Sequence, residues 1–343
     1  MDLLQYAGII LVKILIVANI MLITVSYLVY FERKISAWVQ DRIGPNRVGP
    51  LGLLQPFADV LKLLLKEDIV PEKAFKTIHT LAPLVALFVA FTTYAVIPIG
   101  PPEAQLWGVS LFTVAPDLNI GILYVLALTS VGVYAITFSG WSSGSKYSLL
   151  GGIRSSAQMI SYEISMGFSI AGVLLISQSL DPQAIVGSQA GLWNMVIQPI
   201  GFIVFVVSAF AETNRLPFDL PEAEPELVGG FHTEYSSMKF AGFFLAEYAN
   251  MIIASGMIVT LYLGGWQIPF VNEHTVTNDI LRYALQVGSF FVKMGALLFF
   301  FIWVRWSLPR FRYDQLMDIG WKVMFPLSLI NLIWVAVYVM LIS

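Results

Sequence analysis

Residues 7–31 read AGIILVKILIVANIMLITVSYLVYF, and this stretch decides the fold class. It is apolar over the roughly 20 residues that a helix needs to cross a hydrocarbon layer, and Lys13 is its one charge. No small-residue cleavage pattern follows it, so it reads as a retained helix and not as a signal peptide. Comparable runs recur to the end of the chain. They place eight spans at about 7–31, 78–99, 120–140, 157–177, 192–211, 238–264, 287–306 and 321–342. Of the 343 residues, 57% are hydrophobic and 12% charged, far from the roughly 25% charged of soluble domains. The expected fold is all-α: one polytopic membrane domain over 1–343, with eight transmembrane helices and a short interfacial helix on the cytoplasmic side.

Charge sorts by side. Arg33, Lys34, Arg42, Arg47, Lys62, Lys66, Lys73 and Lys76 follow the first span, Lys146 and Arg154 the third, Arg215 and Lys239 the fifth, and Arg305, Arg310, Arg312 and Lys322 the seventh. The opposite loops contribute Arg282. By the positive-inside rule the 32–77, 141–156, 212–237 and 307–320 loops face the cytoplasm or its equivalent, with both termini outside.

Composition also excludes chemistry. Cysteine is absent, which removes disulfides and thiolate ligation of iron–sulfur clusters by this chain. His79, His232 and His274 are scattered and lack zinc spacing. No basic footprint points to nucleic acid. Any redox centre belongs to a partner or is a dissociable ligand.

Residues 51–66 have helical periodicity, with Leu53, Leu54, Phe57, Val60, Leu61 and Leu64 on one face and Gln55, Asp59, Lys62 and Lys66 as a polar stripe. Too short to span, the segment suits a helix lying in the interface. Two readings stand for it: a membrane-surface strut, or one wall of an amphipathic ligand's entrance. The short polar stretch at 139–158 reads as a Gly- and Ser-rich loop. The arginines of VRWSLPRFRYDQLMD at 304–318 read either as snorkelling anchors or as a docking surface for an acidic partner.

Residues 212–248 carry the densest chemistry: Glu212, Asp219, Glu222, Glu224, Glu226 and Glu234 surround Arg215, while Pro217, Pro221 and Pro225 forbid a continuous helix. If 222–226 is extended, its three glutamates point the same way. Like charges so close disfavour full ionisation, so a shared proton is the expected chemistry. Two further acids lie within apolar spans, Glu163 and Glu247. A carboxylate at that depth costs about 2.5–3.5 kcal/mol on insertion scales and marks a bundle interior or water path. Lys13 and Lys293 are the candidate countercharges within the spans. Asn19 reads as a donor to a neighbouring helix.

YFERK at 30–34, RIGPNRVGP at 42–50, LQPFADVLKLLLKE at 54–67, SGWSSGSKYSLLGGIRSSAQMISYEIS at 139–165 and ETNRLPFDLPEAEPELVGGFHTEYSSMKF at 212–240 occur in this order. As a set they closely resemble one membrane subunit of respiratory complex I, the proton-pumping NADH:quinone oxidoreductase: the H-subunit of bacteria, which is subunit 1 in mitochondria. The resemblance covers nearly the whole chain. It implies eight spans plus an interfacial helix, at the heel where the peripheral redox arm meets the membrane arm. It places Arg33, Trp38, Phe57 and Asp59 along a quinone entrance and channel, and Glu212, Asp219, Glu222, Glu224, Glu226 and Glu234 in a funnel below the chamber. Glu163 and Glu247 would continue that path into the membrane.

The implied partners are the peripheral-arm quinone-site and terminal-cluster subunits, small membrane subunits, antiporter-like subunits and membrane lipid. Quinone (ubiquinone or another) is substrate; NADH, flavin and iron–sulfur clusters sit in partner subunits, and no metal is ligated by this chain. Such a chain would lie in a bacterial inner membrane or an organelle inner membrane. Some relatives carry a further carboxylate in the third span, where this chain has Thr129 and Ser130, so a proton path here would use water, a hydroxyl or another acid. Two other readings compete: the membrane anchor of an energy-converting hydrogenase, and a stand-alone proton-coupled transporter. The absence of paired broken helices in two halves speaks against the transporter.

Overall fold

In a computed structural model the described residues are 3–106, 109–116, 118–219, 227–269 and 278–342. Glu222, Glu224 and Glu226 lie outside them. The described residues are all-α apart from a minimal antiparallel hairpin, β1 (Gln105–Leu106) with β2 (Val109–Ser110). Helix α1 (Leu3–Val39) runs well past the 31 expected from hydropathy. At 1.5 Å per residue it is about 55 Å long, so its last turns stand beyond the hydrocarbon with Glu32 and Arg33 on them.

Helix α2 (Gln55–Leu65) is the expected amphipathic segment. It starts at Pro56, whose fixed φ and missing donor suit a first turn. Its entry is a tight turn at Pro50–Gly52. Gly52 has φ +81, and a Cβ there would sit 2.2 Å from the Pro45 carbonyl oxygen, so only glycine fits.

The remaining long helices are α3 (Lys76–Tyr94), α4 (Gly121–Ser142), α5 (Lys146–Ser177), α9 (Ser237–Tyr262), α10 (Asp279–Ser307) and the final pair, α11 (Tyr313–Asp318) and α12 (Phe325–Ile342), joined by a π-helical turn over Ile319–Met324. Among the described residues, seven segments are long and apolar enough to cross a membrane. The expected eighth, at 192–211, is instead broken into α7 (Asn194–Ile197) and the 14-residue α8 (Pro199–Glu212); α6 (Pro182–Ser188) precedes them. Pro199 bars the α-region for Gln198, which takes φ −132 and ψ 69. The break is mended from α12: Asn331 accepts from Gly201 N at 3.0 Å and donates to Gln198 Oε1 at 3.1 Å.

The stretch 141–156 is mostly helix where the sequence suggested a loop. Its small residues serve packing. A Cβ on Gly140 would lie 2.5 Å from the Ser148 carbonyl, and one on Gly151 would lie 2.8 Å from the Gly230 backbone. Backbones at such separations pack by close van der Waals contact, as small residues allow between membrane helices.

Helix α9 is the bundle's axis, with 72% of its apolar window buried against 11% for α1 at the periphery. It packs on α1, α3, α8 and α10. Around it Phe205, Ile258, Tyr262 and Phe290 form one continuous core.

Both lysines within the spans hydrogen-bond backbone carbonyls. Lys13 donates to the Ser110 and Thr113 carbonyls beside the hairpin. Lys293 donates to the carbonyls of Leu263 (2.8 Å), Gly265 (3.0 Å) and Gln267 (2.6 Å) and lies over the Trp193 ring. These carbonyls follow the end of α9, about 24 Å along the helix from Glu247. Lys293 meets carbonyls just past the end of α9, and Lys13 meets carbonyls in and just past β2. Asn19 donates to Leu15 O of its own helix at 2.8 Å, not to a neighbour.

Candidate functional site

The acids gather where α1, α9, α10 and the 212–219 segment meet. Glu32, 4% exposed, accepts from Arg215 Nη1 at 3.1 and 3.3 Å, from the Tyr248 hydroxyl at 2.7 Å and from Arg305 Nη1. Arg215 Nε lies 2.7 Å from Glu247 Oε1, and its guanidinium stacks 4.0 Å from the centre of the Tyr248 ring. Two carboxylates and two arginines thus balance in a site too buried to carry a lone charge. Glu247 is the least enclosed carboxylate of the cluster, 23% exposed against 6% for Glu32.

That residual exposure is to a cavity. Glu247, Glu212, Asn214, His232, Asn250 and Thr129 are among the lining residues of a space of about 60 Å³, walled otherwise by Phe231, Phe240, Phe243 and Phe244. A water occupies roughly 30 Å³ of liquid, so the space admits water between polar partners. A second cavity of about 40 Å³ continues into the apolar core past Val125, Met166 and Phe205. Glu212, Thr129, Thr213 and Asn250 line both, which makes Glu212 the shared wall. Glu163, one helix over on α5, is its charged neighbour, and Ser130 donates a hydrogen bond to Glu163 Oε1.

The loop that carries Arg215 is clamped from α5. Gln158, wholly buried, donates to the carbonyls of Ala211 and Phe218, both at 2.7 Å. A single amide therefore fixes both ends of the segment that aims Arg215.

A second region lies on the outer side of α1. Arg33 pairs with Asp59 of α2 at 2.6 Å, and Gln55 donates to the same carboxylate at 3.0 Å. Arg33, Arg42, Arg47, Asn46 and Gln55 line an open cleft of about 550 Å³. Trp38 on α1 and Phe57 on α2 are exposed, 69% and 55%.

Of the residues named from sequence, Arg33 and Asp59 meet directly, and Trp38 and Phe57 are exposed. Glu212 and Glu247 face one cavity, with Glu163 adjoining. Asp219 is drawn away into a pair with Arg310 at 2.9 Å. Glu234 lies beside His79, outside both cavity linings. His79 itself stacks face to face on Tyr235, ring centres 3.9 Å apart, and burial pushes the Tyr235 phenol up to about 12, so it stays neutral. Of the arginines at 305–312, Arg305 binds Glu32, Arg310 binds Asp219 and Arg312 forms an exposed pair with Asp314. Among the described residues no group of three or more His, Asp or Glu side chains is arranged to hold a metal.

Glu32, Tyr248, Arg305 and Gln158 were missed as site residues. Glu32 carried only a partial signal: successive helix residues lie about 100° apart, so Glu32 and Arg33 point in different directions around α1.

The chain matches the NADH dehydrogenase family over residues 12–336. It is 52% identical over 338 residues to NADH-quinone oxidoreductase subunit 8 of Rhodothermus marinus, covering 96% of each chain. It is 52% identical over 336 residues to the NADH-quinone oxidoreductase H-subunit of Salinibacter ruber, covering 95% of this chain and 94% of that one. An H-subunit of Cytophaga hutchinsonii is 48% identical over 318 residues, with 92% of each chain covered.

Proposed function

The chain belongs to the NADH dehydrogenase family, and from that membership we propose that, as a membrane subunit of an NADH-quinone oxidoreductase, it forms one wall of the quinone chamber and couples quinone reduction to proton translocation. The outer cleft by α2 is the entrance in this reading. An isoprenoid tail needs apolar walls and its headgroup a few polar contacts, and the helices that carry the Arg33–Asp59 pair also carry exposed Trp38 and Phe57. Electrons come from clusters held by peripheral-arm subunits, with NADH and flavin further along that arm. Antiporter-like and small membrane subunits receive the proton-path change, and the assembly lies in a bacterial inner membrane.

The observation that carries the reading is the continuity from α1 to Glu163. Arg33 belongs to the cleft, Glu32 to the Arg215–Glu247 cluster, Glu247 and Glu212 to one cavity, and Glu212 adjoins Glu163. Two electrons added to a quinone make a basic dianion that takes two protons to become quinol. Protons passing to it through Glu247 would neutralise that carboxylate in transit and leave Arg215 short of one counter-charge. Unit charges 4 Å apart interact by about 1 kcal/mol in water and about 4 at an effective dielectric of 20, so only a secluded cluster transmits such a change. Arg215 would then redistribute between Glu247 and Glu32, and Glu212 and Glu163 would pass the charge sideways.

The test replaces Glu163 by Gln in the assembled complex and measures quinone reduction and proton pumping separately. Loss of pumping, with or without loss of turnover, is expected. Normal values of both would remove Glu163 from the mechanism.

A further inference from the structure

Glu212, Thr129, Thr213 and Asn250 form the wall common to both cavities, and their hydrogen bonds set Asn250 apart. The Thr129 hydroxyl donates to the Leu126 carbonyl at 3.0 Å. The Thr213 hydroxyl donates to the carbonyls of Ala209 and Phe210, at 3.0 and 3.2 Å. Each threonine therefore spends its one proton on its own helix, and an ionised Glu212 can only accept. The Asn250 side-chain amide has two N–H donors and one acceptor oxygen, and it makes no hydrogen bond to any described residue. We propose that Asn250 is a positioning residue that holds water between Glu247 and Glu212, so that a proton crosses the cavity through that water. The inference rests on the proton-path reading above and names the group and the medium of its middle step.

The geometry supplies what a held water needs. Glu247 and Asn250 are three residues apart on α9, so they share a face, about 4.5 Å apart along the axis. Glu212 closes α8 on the same cavity. That cavity of about 60 Å³ has space for about two waters, each taking roughly 30 Å³ in the liquid. A buried water makes two to four hydrogen bonds. The two carboxyl groups and the threonine oxygens offer acceptors, and Asn250 offers donors. Asn214 is already committed: its Oδ1 accepts from Ser155 at 3.2 Å and from Gln158 at 3.4 Å, and its amide nitrogen meets Met159 sulfur at 3.7 Å. His232 packs edge-on against Phe231 and Phe240 and lines the first cavity but not the second.

The step balances and runs either way. The protonated acid donates to the water oxygen, and the water gives one of its own protons to the ionised acid. One O–H bond has broken at the first carboxyl, one has formed at the second, and the water is regenerated. No electron moves. The water oxygen has two lone pairs, one for the donating acid and one for an Asn250 N–H, which leaves both water protons free to point at acceptors. A second water lengthens the chain and leaves the count unchanged. An amide suits the post because it does not titrate, so it aims the water without trapping the proton.

The experiment uses the assembled complex in sealed vesicles and compares Asn250→Val with Asn250→Thr. The two side chains have nearly the same shape, and only threonine offers a hydroxyl to water. The readouts are proton translocation per electron and the infrared difference spectrum on quinone reduction, taken in ordinary and in oxygen-labelled water to pick out water O–H bands. A positioned proton-transfer group contributes roughly 10²–10⁴-fold, so Asn250→Val is expected to slow coupled translocation at least about tenfold and to remove a label-sensitive water band. Asn250→Thr should keep both near the wild type. If Asn250→Val does not assemble, Asn250→Leu, close to Asn in volume, takes its place. Wild-type translocation or an unmoved water band in the apolar variant overturns the proposal, and so does equal impairment of the apolar and Thr variants, which reports on shape alone. If Glu247→Gln is impaired while the apolar variant is normal, the role of Asn250 falls and the proton path stands. If Glu247→Gln pumps normally, both fall.

Discussion

Glu32 and Arg33 follow one another on α1 and belong to different ion pairs: Arg33 reaches outward to Asp59 of α2, and Glu32 reaches inward to Arg215 and Arg305. One turn of helix therefore joins the cleft on the outer side of α1 to the buried cluster on its inner side. Any ligand that shifts the end of α1 acts on both at once, which gives the proposed coupling a short physical route.

The outer pair tests the entrance. Arg33 and Asp59 are 45% and 31% exposed, and pairs of that kind contribute about 0–1 kcal/mol to stability. Asp59→Asn should leave the complex assembled and its thermal unfolding nearly unchanged. Steady-state kinetics with a short-chain quinone should show KM raised several-fold at a similar kcat. An unchanged KM would detach this pair from the entrance.

The inner pair behaves differently. Arg215 is 3% exposed and holds Glu32 and Glu247 together, so Arg215→Met leaves two buried carboxylates short of a cation. Breaking a buried pair this way costs about 3–5 kcal/mol. The variant should show a clear fall in complex yield or in thermal stability, much larger than that of Asp59→Asn. Arg215→Lys keeps the charge but not the planar fork that addresses both acids and stacks on Tyr248, and its loss should be intermediate.

Lys293 separates structural cations from path residues. It satisfies three carbonyls beyond the end of α9. Lys293→Met should lower stability by about 1–3 kcal/mol through those unmet acceptors. The protons pumped per electron in the assembled fraction should stay at the wild-type value. A changed ratio would bring Lys293 into the path.

Much of this was legible before any coordinates. Hydropathy runs located the long helices, and the alternation of Leu and Phe with Lys and Asp identified α2, because a single helix reports its own amphipathicity. The break at Gln198 was half visible in Pro199, but the compensation by Asn331 depends on a helix more than a hundred residues away. Glu163, Glu212 and Glu247 stood out because acids are rare in apolar runs. Their partners did not. Arg215, Arg305 and Glu32 come from three distant segments, and charge pairing across a bundle leaves no local period. The carbonyl contacts of Lys13 and Lys293 were hidden for the same reason: a lysine within a span announces a cation but not which backbone it meets.

The central claim is that protonation passes from the Arg215 cluster through Glu247 into the membrane, and proton translocation per electron in vesicles holding the Glu247→Gln complex measures it most directly. The neutral side chain keeps the shape beside Arg215 and cannot ionise. The account predicts that this variant loses most of its coupled proton translocation, at least about tenfold, while still assembling with its partners. Wild-type quinone reduction together with a wild-type proton-to-electron ratio would contradict it.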